Sequence, residues 1–151
     1  MKDEIVQAFD ESVAAKKVFL QENLENLIVV IDVIAETFRQ GGKLLLFGNG
    51  GSAADAQHIA AEFVNRFQIE RPPLPALALT TDSSALTSIA NDYDYKEVFS
   101  KQVRALGRTG DTAVAISTSG NAANVLEAVA ACKQLRIATV GFTGGNGGKL
   151  A

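Results

Sequence analysis

The first forty residues place apolar side chains at helical intervals: Ile5, Phe9 and Val13, then Leu20, Leu24, Leu27, Ile31, Ile34 and Phe38, with Gly41-Gly42 closing the run. Forty residues is long for one globular helix, so the pattern predicts two helices with a bend between residues 21 and 26. An apolar stripe on such an arm needs a surface to bury against, and another subunit would supply one. From Lys43 the rhythm changes to short apolar runs bounded by turn residues, at 43–47, 76–80, 112–117 and 137–143. Helical stretches separate them at 53–67, 84–91, 97–106 and 122–134. Short apolar runs alternating with helices predict a parallel sheet covered on both faces. Pro72, Pro73 and Pro75 lead into the second strand, before its ladder begins. The chain thus reads as one α/β domain, a helical arm over 1–40 and an α/β core over 41–151. After the fourth strand, residues 144–151 stand where another helix would normally open.

Composition narrows the classes. With 151 residues, 47% apolar and 21% charged, the chain is long enough for one domain with a real core. No apolar run approaches the ~20 residues of a membrane span, and the charged start Met1-Lys2-Asp3-Glu4 does not resemble an export signal. Cys132 is the single cysteine and falls among apolar neighbours in a predicted helix, which suggests a buried, reduced thiol and a cytoplasmic protein. A net charge of −3 without a Lys/Arg cluster argues against a nucleic-acid surface. Small anions need local donors rather than net charge, so they stay open as ligands.

Two loops carry candidate chemistry. Phe47-Gly48-Asn49-Gly50-Gly51-Ser52 lies between a predicted strand and helix, and its three glycines let successive backbone N–H groups converge on an anion at a helix N-terminus. Ser52 is expected either to cap that helix or to donate its hydroxyl to a ligand. The alternative is a tight turn with a capped helix. Gly48-x-Gly50-x-x-Ala53 also fits a dinucleotide fingerprint, but the ribose-binding acid should follow about 20 residues on, and Asp82 comes too late. The second loop, Ile116-Ser117-Thr118-Ser119-Gly120-Asn121, offers three consecutive hydroxyls at the next strand-to-helix junction, suited to the oxygens of a phosphate monoester. A Ser/Thr-rich cap is the plain alternative. Ligands of open α/β sheets lie outside the carboxyl ends of the strands, so both loops are expected to face one crevice.

Asp55, His58 and Glu62 follow the first loop on its helix, with His58 and Glu62 four apart on one face, expected about one turn above the glycine loop. The pair could give two ligands to a divalent metal, or a base with its orienting partner, or simply an i, i+4 surface contact. Asn91 and Asp92 close the short helix after the second strand; Asn91 suits a left-handed helix end and Asp92 a turn, and both could instead meet sugar hydroxyls.

Gly48-Asn49-Gly50-Gly51-Ser52, Asp55-Ala56-Gln57-His58 with Glu62, Ala90-Asn91-Asp92 and Ser117-Thr118-Ser119-Gly120-Asn121, in this order and spacing, resemble the phosphoheptose isomerases of the sugar-isomerase (SIS) superfamily. The resemblance runs from about Phe38 to the last residue. It implies a three-layer αβα sandwich on a parallel, flavodoxin-like sheet, with the N-terminal helical arm beside it. It also implies a cytoplasmic homotetramer, with active sites between subunits, that interconverts sedoheptulose 7-phosphate and a mannoheptose 7-phosphate on the way to lipopolysaccharide or other bacterial glycans. Carried over by position, Asn49, Gly50, Gly51 and Ser52 contact substrate, Ser117, Thr118 and Ser119 grip phosphate, and Asn91 and Asp92 touch the sugar. His58 and Glu62 bind one zinc ion per subunit, and Glu62 is also the general base. Two departures stand out. Ala122 replaces a serine common in the family, and the family's other metal ligands lie on a C-terminal helix absent from these 151 residues. A non-catalytic SIS relative that binds the replication initiator DnaA shares Asn65-Arg66-Phe67, Glu70-Arg71-Pro72 and residues 101–107, but it lacks a carboxylate at the position of Glu62. A phosphosugar-sensing module is a third reading, in which His58 and Glu62 would be dispensable.

Overall fold

The structure, a computed structural model, describes residues 1–151. Contacts divide it into two units, Met1–Asp32 and Val33–Ala151. Helix α1 runs unbroken over Lys2–Arg39, so the expected bend is not there. The expectation rested on the length of the arm, and no glycine or proline interrupts these residues to break the helix. Asn23 donates back to the Phe19 carbonyl at 3.1 Å, and Asn26 donates to the Asn23 side chain. Within Met1–Asp32 no residue is buried, and Phe9, Val13, Leu20, Leu24 and Ile31 stay exposed along the helix.

In Val33–Ala151 the four strands are β1 (Leu44–Gly48), β2 (Ala76–Ala78), β3 (Thr112–Ser117) and β4 (Ala138–Thr143). All pair in parallel in the order β2-β1-β3-β4. This is the flavodoxin-like arrangement, and crossover helices make it: α2 (Gly51–Val64), α3 (Ser83–Asp92), a 3-10 turn (Tyr95–Glu97), α4 (Val98–Leu106) and α5 (Ala123–Gln134). Alternation along β1 divides the core into two layers. Leu44 and Leu46 pack with Val114, Ala56 and Ala60 beneath α2, together with Ile34 and Phe38 from the end of α1. Leu45 and Phe47 face the other way, onto Phe99 and Val103 of α4 and Val125 and Ala128 of α5. The result is the expected αβα sandwich.

Some boundaries moved. α2 starts two residues earlier than the sequence pattern suggested and stops at Val64, where the Arg71 guanidinium donates to the carbonyls of Glu62 at 2.6 Å and Phe63 at 2.8 Å. A side chain from outside the helix thus closes its last turn. β2 keeps only three residues; Leu79 N–H still bonds to the Leu46 carbonyl before the chain turns away to α3. Asp82, which arrived too late to bind a ribose, caps α3 by accepting from Ala85 N–H at 2.9 Å. At the opposite end of the sheet, the buried Asp111 carboxylate accepts from Lys43 N–H, the Lys43 ammonium and Arg108 N–H, at 3.0, 2.7 and 2.8 Å.

Candidate active site at the carboxyl ends of β1 and β3

β1 and β3 are neighbours in register, Gly48 beside Ile116, so the two loops that follow them leave the sheet side by side. The first is shaped by its glycines. A Cβ on Gly48 would stand 2.8 Å from the Ile116 carbonyl and 2.8 Å from Ser52 Cβ, so only glycine lets the first turn of α2 close against β3. Gly50 turns the chain at φ 54 and serves as the N-cap of α2, with no side chain capping the helix. Ser52, expected as a possible cap, lies instead inside the first helical turn, because the turn at Gly50 starts the helix two residues earlier. The exposed Gly51 has open space around its Cα, and the leading N–H groups of α2 are left for a ligand.

The second loop repeats the design with hydroxyls. Gly120 turns at φ 63, and its N–H bonds back to the Ser117 carbonyl at 2.9 Å. α5 begins after Ala122, again with no side-chain cap. The three hydroxyls do not present equally: Ser117 is buried, whereas Thr118 and Ser119 are exposed, and Ser119 Oγ already accepts from Asn121 N–H at 3.2 Å. The turn after β4 leans on this loop, with Gly144 N–H on the Thr118 carbonyl at 2.9 Å and Lys149 N–H on the Gly120 carbonyl at 3.1 Å. Residues 144–151 therefore form a turn that buttresses the second loop.

One contact joins the loops and was invisible in the sequence. The carboxamides of Asn49 and Asn124 exchange hydrogen bonds in both directions, each 2.8 Å long. Tyr95 adds its hydroxyl, donating to Asn49 Oδ1 at 3.4 Å, so the 3-10 turn borders the same mouth. Shortly before Tyr95, Asn91 and Asp92 end α3, both exposed, with Asn91 Nδ2 donating to Asp92 Oδ1 at 2.9 Å. Neither adopts the left-handed conformation expected of Asn91; the helix runs through both and ends at Tyr93, at φ −129.

His58 and Glu62 pair on one face of α2, Nε2 to Oε1 3.6 Å, the imidazole three-quarters exposed and the carboxylate about one-third. They are further from the glycine loop than the spacing suggested. Glu62 stands eleven residues beyond Gly51, roughly 16 Å along the helix at 1.5 Å per residue. An imidazole nitrogen and a carboxylate oxygen at this separation suit two corners of a zinc tetrahedron. No third His, Cys, Asp or Glu joins them in the chain. The pair fits half of a metal site.

Comparison with known proteins gives a consistent picture. Residues 8–144 match the family model described as SIS domain. A phosphoheptose isomerase from Thermodesulfovibrio yellowstonii is 53% identical over 150 residues, 99% of this chain and 75% of that protein. One from Aquifex aeolicus is 49% identical over all 151 residues, 79% of its own length. Among solved structures, the phosphoheptose isomerase of Neisseria gonorrhoeae superposes with a TM-score of 0.92 at 47% identity, covering 99% of this chain and 78% of that one. That of Francisella tularensis gives 0.94 at 38% identity, covering 98% and 78%.

Proposed function

The chain belongs to the SIS-domain family, among the phosphoheptose isomerases, and on that footing we propose how its residues divide the work of interconverting sedoheptulose 7-phosphate and D-glycero-D-manno-heptose 7-phosphate. The observation that carries the proposal is the pair of uncapped helix N-termini beside each other, bridged by Asn49 and Asn124. The N–H groups of the second loop and the hydroxyls of Ser117, Thr118 and Ser119 hold the phosphate, and no lysine is needed because helix ends and neutral donors stabilise the anion. Asn49, Gly50, Gly51 and Ser52 line the sugar chain from the first loop, with Asn91 and Asp92 on its open side.

The reaction moves one proton between neighbouring carbons. A carboxylate takes the proton from C1 of the ketose while the carbonyl oxygen O2 gains a proton, giving the ene-diol with a C1–C2 double bond. The same carboxylate then returns its proton to C2 as O1 gives up its own, which balances the one O2 gained, and becomes the aldehyde oxygen. Glu62 is the carboxylate for this task. Because it stands at the far end of α2 from its own loops, the Glu62 that acts on a bound sugar comes from a neighbouring subunit. A homotetramer, with the exposed stripe of α1 buried between subunits, provides that neighbour. His58 and Glu62 would hold zinc, the remaining ligands coming from outside the pair, and the metal would supply Lewis-acid polarisation of the sugar's carbonyl and hydroxyl oxygens. We place the enzyme in the cytoplasm, supplying heptose for lipopolysaccharide or related glycans; no helix is long and apolar enough to cross a membrane.

Relatives sharing about half its residues carry the isomerase name, which does not favour the DnaA-binding or sensing alternatives. The test is incubation with sedoheptulose 7-phosphate, with and without added zinc, and separation of the products. Glu62→Gln is expected to bind the sugar phosphate and not convert it; turnover that persists in Glu62→Gln would remove Glu62 from the mechanism.

A further inference from the structure

Asn124 sits in the first turn of α5 with 4% of its surface exposed, although asparagine is a poor helix former and a buried carboxamide is costly without partners. It does not cap its helix, since no side chain does so at Ala122. Its side-chain partner is Asn49, 75 residues away, reached by the reciprocal pair of 2.8 Å bonds. A carboxamide that gives one donor and one acceptor to another carboxamide has its plane fixed, leaving its second N–H to point elsewhere. On Asn49 that remaining N–H belongs to the loop proposed to line the sugar, and the Tyr95 hydroxyl donates to its oxygen at 3.4 Å.

We propose that Asn124 is a positioning residue for sugar recognition, setting the plane and depth of the Asn49 carboxamide relative to the hydroxyl loop that holds the phosphate. This rests on the reading of Asn49 as a sugar contact. The amide pair acts as a spacer between the two ends of the ligand: the phosphate seats on the loop before α5, and the amide that α5 itself anchors meets the sugar. No other side chain serves as well. A carboxylate at 124 would set oxygen against Asn49 Oδ1, and an apolar residue would leave the Asn49 amide free to rotate.

The test uses the full chain and four variants, Asn124→Ala, Asn124→Asp, Asn49→Ala and the double alanine. Calorimetry measures the dissociation constants for sedoheptulose 7-phosphate and for inorganic phosphate, and thermal unfolding confirms that each protein is folded. Asn124→Ala is expected to weaken sedoheptulose 7-phosphate about tenfold and inorganic phosphate less than about twofold, and to add nothing in the Asn49→Ala background. Asn124→Asp is expected to bind the sugar phosphate weakly at about pH 8 and to recover, relative to the unaltered chain, as pH falls and the carboxyl regains a proton. The protonated acid restores one donor and one acceptor, and this series decides the matter if Asn124→Ala does not fold. Equal losses for both ligands, additive losses in the double variant, or an aspartate variant indifferent to pH would overturn the proposal. If the unaltered chain binds sedoheptulose 7-phosphate no better than inorganic phosphate, the reading of Asn49 as a sugar contact fails. If it discriminates and Asn124→Ala discriminates equally well, the positioning role alone fails.

Discussion

Replacing Gly51 with alanine places one methyl group at the N-terminus of α2 and separates what the fold needs from what a ligand needs. A Cβ built there meets no atom within 4 Å, and Gly51 is not among the glycines with positive φ. The fold therefore accepts alanine without strain, and the lost freedom of the unfolded chain should stabilise the protein by about 0.4–1 kcal/mol. The same methyl occupies the open space in front of the leading N–H groups of α2, where the proposed ligand atoms come closest. Blocking that approach should weaken sedoheptulose 7-phosphate binding by about ten- to a hundredfold, or about 1.4–2.8 kcal/mol. Thermal unfolding and calorimetric titration on one preparation give both numbers. An unchanged or raised melting temperature with a large loss of affinity supports the cradle. A lowered melting temperature with unchanged affinity would refute it, since the glycine would then serve the turn alone.

Gly48→Ala should behave oppositely, because its Cβ would stand 2.8 Å from the Ile116 carbonyl and Ser52 Cβ; a stability loss of about 1–3 kcal/mol in urea unfolding is expected. Asp111→Ala strands two backbone N–H groups and the Lys43 ammonium at the far end of the sheet, and should cost about 2–4 kcal/mol in the same assay with ligand affinity unchanged. Burial pushes the Cys132 thiol up from 9.0 to about 11, so at about pH 8 its thiolate fraction, and hence alkylation by iodoacetamide, should be at least about a hundredfold below that of the unfolded chain. The raised value also means that this thiol's contribution to stability is complete below about pH 9 and is lost as pH rises toward 11, which Cys132→Ala should abolish in a stability-versus-pH series.

Much of the core was legible because its signals are local. β1 and β3 are apolar runs that end at Gly48 and Ser117, and the glycines that follow them, Gly50 and Gly120, turn the chain at positive φ. The arm misled because its length alone suggested a bend, whereas no glycine or proline breaks α1 and the helix runs through residues 21–26. Ser52 looked like a cap because serine usually is one, but a glycine in an unusual conformation started the helix first. The distance from the glycine loop to Glu62 could be counted in residues, yet a shared helix face says nothing about height along the axis. The Asn49–Asn124 bridge left no local trace at all. A buried amide in the first turn of a helix predicts some partner, and only the juxtaposition of β1 and β3 says which.

The proton transfer assigned to Glu62 can be watched directly. Sedoheptulose 7-phosphate and zinc are incubated with the chain in deuterium oxide, and the recovered ketose and its aldose product are examined by NMR. The account predicts deuterium at C1 of recovered ketose and at C2 of product, with both signals lost in Glu62→Gln although the variant still binds the sugar phosphate. Deuterium entering at the same rate in Glu62→Gln would contradict it, as would no exchange in a chain that binds the ligand and is supplied with zinc.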